Sequence, residues 1–234
     1  LMLYERDLIR YKVDMSELLD GRVARDKIKT RLKSLYKGKA ITLAIIQVGS
    51  KEDSNTYIRQ KMKFGQAIGA EIKHFRLGQG IREKELLEKI RELNQDSKIT
   101  GIILQLPFPR EINTNVAVDS IDPRKDVDGL TATNLKLALS GKTKILPATA
   151  RGVLELLDFY KIGIKGQNVV IVGRSMLVGK PVAAALLGEN ATVTVCHSKT
   201  ANLPEITKRA DILIVATGNP KFINSDYVSK GQIV

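Results

Sequence analysis

Short apolar runs alternate with amphipathic stretches along most of the chain. The apolar runs are rich in isoleucine and valine, and several end at glycine or proline, which is typical of buried strands. They cover residues 41–48, 71–76, 99–106, 168–172, 191–196 and 211–216. Helical spacing of leucine and isoleucine predicts helices over residues 18–35, 54–68, 82–93, 149–160 and 180–188. This alternation predicts an α/β fold with parallel sheets and helices on their faces.

Several residues are candidates for the ends of these helices. Asp53, Ser54 or Asn55 can each cap the second helix, and Thr149 can cap the fourth. Gly69 is a plausible stop for the second helix. In the first helix, five apolar residues are spaced for one buried side, namely Leu18, Val23, Ile28, Leu32 and Leu35.

Composition excludes several classes of protein. The chain has 234 residues, of which 43% are hydrophobic, enough for one large domain or two small ones. No apolar run approaches the ~20 residues that span a bilayer, and residues 1–15 lack the apolar core of a signal peptide. One cysteine, Cys196, excludes an internal disulfide framework. We therefore expect a cytoplasmic protein with no membrane partner.

The formal net charge is +13, from 38 Lys plus Arg against 25 Asp plus Glu. A basic surface can serve nucleic acid, a membrane surface or an anionic small ligand. The cations are spread along the chain, and no RNA-binding signature or zinc spacing accompanies them. The chain has only two histidines, His74 and His197, so we expect no metal site.

The first candidate site surrounds the second predicted helix. Ser54, Tyr57 and Lys61 are spaced by three and four residues, so they share one helix face at the carboxyl end of a strand. Ligands of such folds bind beyond these strand ends, where residues 105–109 also fall, with Gln105 first among them. Residues 126–129 follow on a loop. An amide, two carboxylates and a lysine could converge there. The alternative is an ordinary solvated face of a lysine-rich helix.

The second candidate site is the glycine-rich turn over residues 173–181. A strand precedes it and a helix follows, a context that lets backbone amides approach a pyrophosphate. It departs from the G-x-G-x-x-G pattern, because Ser175 replaces the second glycine and Gly179 comes one residue late. Thr217 and Gly218, at the end of the last strand, could lie against the nicotinamide half of a dinucleotide.

The strand over residues 191–196 leads into residues 197–200 without the carboxylate that would read a ribose 2′-hydroxyl. Arg174, Ser198 and Lys199 instead offer groups that suit a 2′-phosphate, which favours NADP over NAD. The alternative is that these are ordinary loop residues and that His197 is half-buried.

With these residues in hand, the chain resembles the bifunctional methylenetetrahydrofolate dehydrogenase/methenyltetrahydrofolate cyclohydrolase family. The resemblance implies two α/β domains with a cleft between them, NADP as cofactor, a folate substrate, and usually a homodimer. The domains would be residues 1–145, folate-binding and catalytic, and residues 146–234, Rossmann-like and NADP-binding. The stretches that carry the resemblance are residues 48–50, 54–61, 101–109, 125–129, 173–181 and 194–200.

The resemblance also implies residue roles. Lys61 would be the central catalytic residue within hydrogen-bond reach of Gln105, and Ser54 would help to order the site. Tyr57 would pack against the pterin, and Asp128 would hydrogen-bond its ring. Arg174 and Ser198 would bind the 2′-phosphate. The full set expected to bind the cofactor is Thr149, Gly173, Arg174, Ser175, Val178, Gly179, His197, Ser198, Thr217 and Gly218.

Two features depart from the family. Residues 147–150 read Pro-Ala-Thr-Ala where the family commonly has Pro-Cys-Thr-Pro, so we expect tuning rather than loss of cofactor binding. The chain stops at Val234, where the family continues for several tens of residues, so the C-terminal domain is expected to be truncated.

The expected activity is NADP-dependent oxidation of methylenetetrahydrofolate followed by hydrolysis to formyltetrahydrofolate. The alternatives within the family are a form with only one of the two activities and a silent NADP-binding fragment. The alternative outside the family is a basic nucleic-acid-binding protein on a Rossmann scaffold, whose mark would be steeply salt-dependent RNA binding.

Overall fold

The computed structural model describes residues 17–141 and 145–234, and within them the strands form two parallel three-stranded sheets. The first sheet has the order β2-β1-β3, with β1 Thr42–Val48, β2 Glu71–Leu77 and β3 Gly101–Gln105. The second has the order β5-β4-β6, with β4 Asn168–Val172, β5 Thr192–Cys196 and β6 Ile212–Val215. The predicted α/β class is confirmed. The expectation for residues 1–15 lies outside the described residues.

Eight α-helices lie within the described ranges, and five of them correspond to the predicted ones. Those five are α1 Gly21–Leu35, α2 Glu52–Ile68, α3 Glu83–Gln95, α6 Ala148–Phe159 and α7 Gly179–Gly188. The sequence reading missed three short helices, which are α4 Thr114–Asp119, α5 Ala132–Leu139 and α8 Leu203–Lys208.

Two predicted helix caps are wrong. The N-cap of α2 is Lys51, so Asp53, Ser54 and Asn55 lie inside the helix. The N-cap of α6 is Pro147, which places Thr149 at the second helical position. Neither cap makes a side-chain hydrogen bond. Both helices begin earlier than cap propensity alone suggests. Gly69 does end α2, in the left-handed conformation with φ 82°.

The apolar side predicted for α1 is largely exposed. Leu18, Val23 and Leu35 expose 62%, 53% and 56% of their surface, and the buried residue of the helix is Ala24. The helix is instead tied to α6 by polar contacts, since the Asp20 amide donates to the Tyr160 hydroxyl at 2.8 Å. Its position therefore depends on α6 as well as on α2.

Both sheets have their first strand in the middle, with later strands on either side. In each sheet the second strand lies on one side of the central strand and the third on the other side. The order in which strands are added therefore reverses between β1 and β3 and between β4 and β6. In open parallel sheets, ligands bind beyond the carboxyl ends of the strands at such a reversal. The fold thus offers two crevices, one beyond Val48 and Gln105 and the other beyond Val172 and Val215.

Candidate functional site

The first crevice brings together Lys61 and Gln105, as the sequence predicts. Gln105 is the last residue of β3 and is 9% exposed, while Lys61 lies half-buried on α2. The Lys61 Nζ donates to Gln105 Oε1 at 3.3 Å, and Gln105 Nε2 donates to the Leu106 carbonyl at 3.0 Å. The second bond holds the amide so that its oxygen faces the lysine.

Ser54 and Tyr57 occupy the same helix on the amino-terminal side of Lys61. Ser54 is 6% exposed, so its hydroxyl is buried rather than accessible at the surface of α2. Tyr57 is 43% exposed and lies about one turn before Lys61. An exposed aromatic ring next to a half-buried amine can receive a flat ligand.

The two carboxylates after β3 have separated roles. Asp126 is 1% exposed, and its Oδ2 accepts hydrogen bonds from the Thr131 amide at 2.8 Å and from Asn134 Nδ2 at 2.9 Å. Asp128, two residues on, is half-buried. We expected both carboxylates at the site. The structure turns Asp126 into the protein, so Asp128 alone can meet a ligand.

Asp128 has a perturbed proton affinity. Burial raises its pKa above the ordinary value of 3.8, the positive charge of Lys61 lowers it, and the negative charge of Asp126 raises it further. The net direction is upward. Lys61 is therefore close enough to act electrostatically on Asp128, which joins the carboxyl to the Lys61–Gln105 pair.

The turn from β4 into α7 lines the second crevice, and its backbone packs closely against neighbouring segments. Gly173 has φ 131°, and a Cβ there would overlap the Ala216 carbonyl at the end of β6. A Cβ at Gly179 would overlap the Gly173 carbonyl. Glycine is required at both positions because the strand end and the helix start lie against each other. Such a glycine-lined turn fits the pyrophosphate of a dinucleotide.

Ser175 organises the start of α7. Its Oγ accepts hydrogen bonds from the Val178 amide at 3.2 Å and the Gly179 amide at 3.4 Å. The serine at the second glycine position of the pattern therefore stabilises the turn that leads into α7. Arg174 and Ser175 remain exposed at the mouth of the crevice.

The end of β5 lies beside the same turn. The Gly173 amide donates to the Cys196 carbonyl at 2.8 Å, which places the loop of His197 and Ser198 next to that of Arg174. His197 is half-buried, and its Nδ1 accepts from the Lys199 amide at 3.2 Å, so its ring shapes this loop.

Thr217 and Gly218 lie exposed after β6, on the other side of Gly173. The Thr217 hydroxyl accepts from the Asn219 amide at 3.3 Å. Arg174, Ser198 and Lys199 are also exposed. All these groups are accessible to a ligand lying across the strand ends.

The start of α6 connects the two crevices. Gly129, with φ 64°, follows Asp128, and a Cβ there would lie 3.1 Å from the Pro147 nitrogen. Thr149 is half-buried two residues after Pro147. The loop that carries Asp128 therefore packs against the helix that carries Thr149.

The sequence does not predict the polar contact that joins β1, β2 and α2. Gln47 on β1 is 1% exposed, and its amide lies between Asn55 and His74. A glutamine near the end of an otherwise apolar strand was the available signal.

In residues 17–141 and 145–234, no group of three or more His, Cys, Asp or Glu residues could hold a metal ion. No helix described is long and apolar enough to cross a membrane.

Comparisons with known protein families match both halves of the chain. The family models for the tetrahydrofolate dehydrogenase/cyclohydrolase catalytic domain and NAD(P)-binding domain match residues 19–128 and 147–234, respectively. The bifunctional protein FolD of Agathobacter rectalis is 43% identical over 225 residues, covering 94% of this chain and 81% of that protein. The FolD protein of Ligilactobacillus salivarius is 45% identical over 225 residues, covering 94% and 79%.

Solved structures give the same result. The bifunctional FolD methylenetetrahydrofolate dehydrogenase/cyclohydrolase of Campylobacter jejuni superposes with a TM-score of 0.90 at 39% identity, covering 93% of this chain and 79% of that one. The Trypanosoma brucei enzyme, solved with NADP and an inhibitor, superposes with a TM-score of 0.86 at 32% identity, covering 92% and 76%. By sequence and by structure, this chain belongs to the tetrahydrofolate dehydrogenase/cyclohydrolase family.

Proposed function

We propose that this chain oxidises methylenetetrahydrofolate with NADP and hydrolyses the methenyl product to formyltetrahydrofolate. The observation that carries the proposal is the Lys61–Gln105 hydrogen bond of 3.3 Å at the reversal point of the first sheet, with Asp128 electrostatically coupled to it. Membership of the family supplies the reaction class. The residue roles below are those that the resemblance implies, and the geometry of this chain supports them.

The folate would bind in the first crevice, within a domain formed by residues 1–145. Tyr57 offers an exposed ring on which a pterin can stack. Asp128, when ionised, accepts hydrogen bonds from ring N–H groups, and Ser54, buried on α2, would help to order the site. These contacts orient the one-carbon unit towards Lys61.

Oxidation of the methylene carbon requires little from the protein except position. Bound NADP supplies the hydride acceptor. Residues 146–234 would hold it, with Gly173, Ser175, Val178 and Gly179 forming the turn at the pyrophosphate. Thr217, Gly218 and Thr149 would lie towards the nicotinamide side, where α6 packs against the Asp128 loop.

Hydrolysis requires proton transfers as water adds to the methenyl carbon and a ring carbon–nitrogen bond breaks. Lys61 is the side chain placed to transfer them. Its bond to Gln105 fixes the position of Nζ and leaves further hydrogen-bonding capacity for water or the reacting nitrogen. Gln105 acts as the support that orients the amine.

NADP is preferred over NAD in this proposal because of the loops beside Gly173. Arg174 and Ser198 are exposed on neighbouring loops, and His197 shapes the second of them. A guanidinium and a hydroxyl stabilise a 2′-phosphate by charge-assisted hydrogen bonds.

Free Cys196 is buried, which raises the pKa of its thiol and suits a reducing cytoplasm.

A homodimer formed through β5 is part of the proposal. Within the described residues this strand pairs with β4 alone, and four of its five residues are exposed or half-exposed, including Val195 at 39%. An open strand edge with an accessible apolar residue is a surface that a second copy can cover.

The test is a coupled absorbance assay. Purified protein is mixed with methylenetetrahydrofolate and either NADP or NAD, and formation and decay of the methenyl product are followed. The expected result is formation with NADP, weaker formation with NAD, and subsequent hydrolysis. Binding of NADP without turnover would favour the silent-fragment alternative, and steeply salt-dependent RNA binding with no turnover would favour the nucleic-acid alternative.

A further inference from the structure

A buried polar network lies between the first sheet and α2, next to the proposed catalytic pair but outside it. At its centre is Gln47, with 1% of its surface exposed. Burying an amide without hydrogen bonds costs about 1–3 kcal/mol by mutational scales. An apolar residue would fill the position without that cost. The presence of a glutamine there therefore needs an explanation other than core packing.

Both ends of the Gln47 amide are bonded. Its Nε2 donates to Asn55 Oδ1 at 2.9 Å, and its Oε1 lies 2.9 Å from His74 Nε2. Burial, with the charge of Arg76, lowers the pKa of His74, which favours the neutral ring. In that form Nε2–H donates to the glutamine oxygen, since the glutamine nitrogen is already engaged with Asn55.

Asn55 is the point where this network holds the helix. Its Oδ1 also accepts from Arg76 at 3.1 Å, and its Nδ2 donates to the Ser50 carbonyl at 3.3 Å. The α2 N-cap, Lys51, makes no side-chain cap bond. Asn55 therefore fixes the first turn of α2 and the loop before it from inside the helix.

Gln47 and Gln105 are neighbours in register on adjacent strands, and both side chains meet α2. Gln47 holds Asn55, and Gln105 holds Lys61, about 9 Å further along the helix axis. The helix is thus fastened to the sheet at two points by paired glutamines. Tyr57 lies between those points.

We propose that Gln47 is a positioning residue that fixes the first turn of α2 through Asn55 and thereby sets where Lys61 and Tyr57 meet the substrate. This inference rests on the proposed function for its catalytic readout. It does not place Gln47 in contact with the substrate. Displacements of about 1 Å at a reacting group can cost up to about a hundredfold in rate.

The test variant is Gln47→Leu, which keeps the approximate volume and removes both hydrogen bonds. The matched control is Thr42→Val on the same strand, which removes a buried hydroxyl bonded to Glu71 at 3.0 Å, at the opposite end of β1. We expect kcat for hydrolysis to fall about tenfold or more in Gln47→Leu. We expect kcat to change less than twofold in Thr42→Val and the NADP Kd to hold in both variants.

Two further measurements separate positioning from general destabilisation. Hydrogen exchange should accelerate at the amides of residues 52–61 in Gln47→Leu and not in Thr42→Val. Adding Asn55→Ala to Gln47→Leu should lower kcat little further, because the two side chains act as one unit. Wild-type kcat retained in Gln47→Leu, or equal loss in the control, would overturn the proposal.

The exchange measurement does not require turnover. A wild-type protein without activity would overturn the proposed function, while faster exchange confined to α2 would still support the positioning by Gln47. Unchanged exchange in α2, with wild-type activity intact, would overturn the inference and leave the proposed function standing.

Discussion

Replacing Lys61 by alanine should separate the two activities. In the structure, Lys61 is the amine at the first crevice that is hydrogen-bonded to Gln105 and close to Asp128. Hydride moves from the methylene carbon to the nicotinamide without passing through the lysine, whereas hydrolysis needs proton transfers. Lys61→Ala should therefore lower hydrolysis far more than oxidation.

The size of the loss follows from the role. A positioned general acid or base contributes roughly 10²–10⁴-fold, which corresponds to about 3–5 kcal/mol of transition-state stabilisation. The variant also leaves Gln105 Oε1, on a residue that is 9% exposed, without its lysine donor. An unsatisfied buried acceptor costs about 1–3 kcal/mol of folding stability, so some loss of thermal stability is expected.

The assay is decay of methenyltetrahydrofolate absorbance, with NADP affinity measured separately by fluorescence titration. Lys63→Ala is the matched control, since Lys63 is exposed on the same helix two residues later. Lys63→Ala should hydrolyse methenyltetrahydrofolate at the rate of the wild-type protein. The NADP Kd should be unchanged in both variants, because the second crevice is built from other elements.

Hydrolysis by Lys61→Ala within tenfold of wild type would refute the assignment of proton transfer to this lysine. Parallel loss of oxidation, hydrolysis and NADP affinity would instead indicate misfolding of the variant. Thermal unfolding distinguishes that case, because a folded variant still shows a cooperative transition.

Three further results are expected. Because burial raises the pKa of Asp128 above 3.8, its ionisation costs stability once pH rises above that ordinary value. Thermal melts of Asp128→Asn should therefore show a higher Tm than wild type at neutral pH, a difference that vanishes in acid, while KM for methylenetetrahydrofolate rises about ten- to hundredfold. Arg174→Ala should weaken NADP about ten- to hundredfold and NAD little, measured by titration, and equal losses would exclude a 2′-phosphate contact. Val195→Asp should convert a dimer to monomers in sedimentation, whereas an unchanged mass would exclude β5 as the interface.

The sequence predicts the strands of the sheets well because each strand is identified by a local run of apolar residues. Parallel strands buried on both faces must be continuously apolar, so runs such as residues 168–172 are recognised directly, and β4 has those bounds. The short helices α4, α5 and α8 were missed because six to eight residues carry too little periodicity. The caps of α4 and α5 were readable, since Asn113 and Thr131 accept hydrogen bonds from the first turns of their helices.

The side chains at the candidate site were identified by spacing and resemblance, and the structure separates what spacing cannot. Asp126 and Asp128 look equivalent as an acidic pair. One is buried against Thr131 and Asn134, and the other lies half-buried near Lys61. The orientation depends on residues five and eight positions further on, which a local motif does not include.

The Gln47 network was missed for a related reason. Hydrophobic patterning treats a polar residue inside an apolar run as noise, yet a buried amide is stable only if specific partners reach it. Those partners are Asn55 on the next helix and His74 on the next strand, so the requirement becomes visible only when three elements are assembled. A polar residue at the carboxyl end of a buried parallel strand is therefore informative. It lies where ligands bind, and its burial means that it acts on the ligand through the residues it holds.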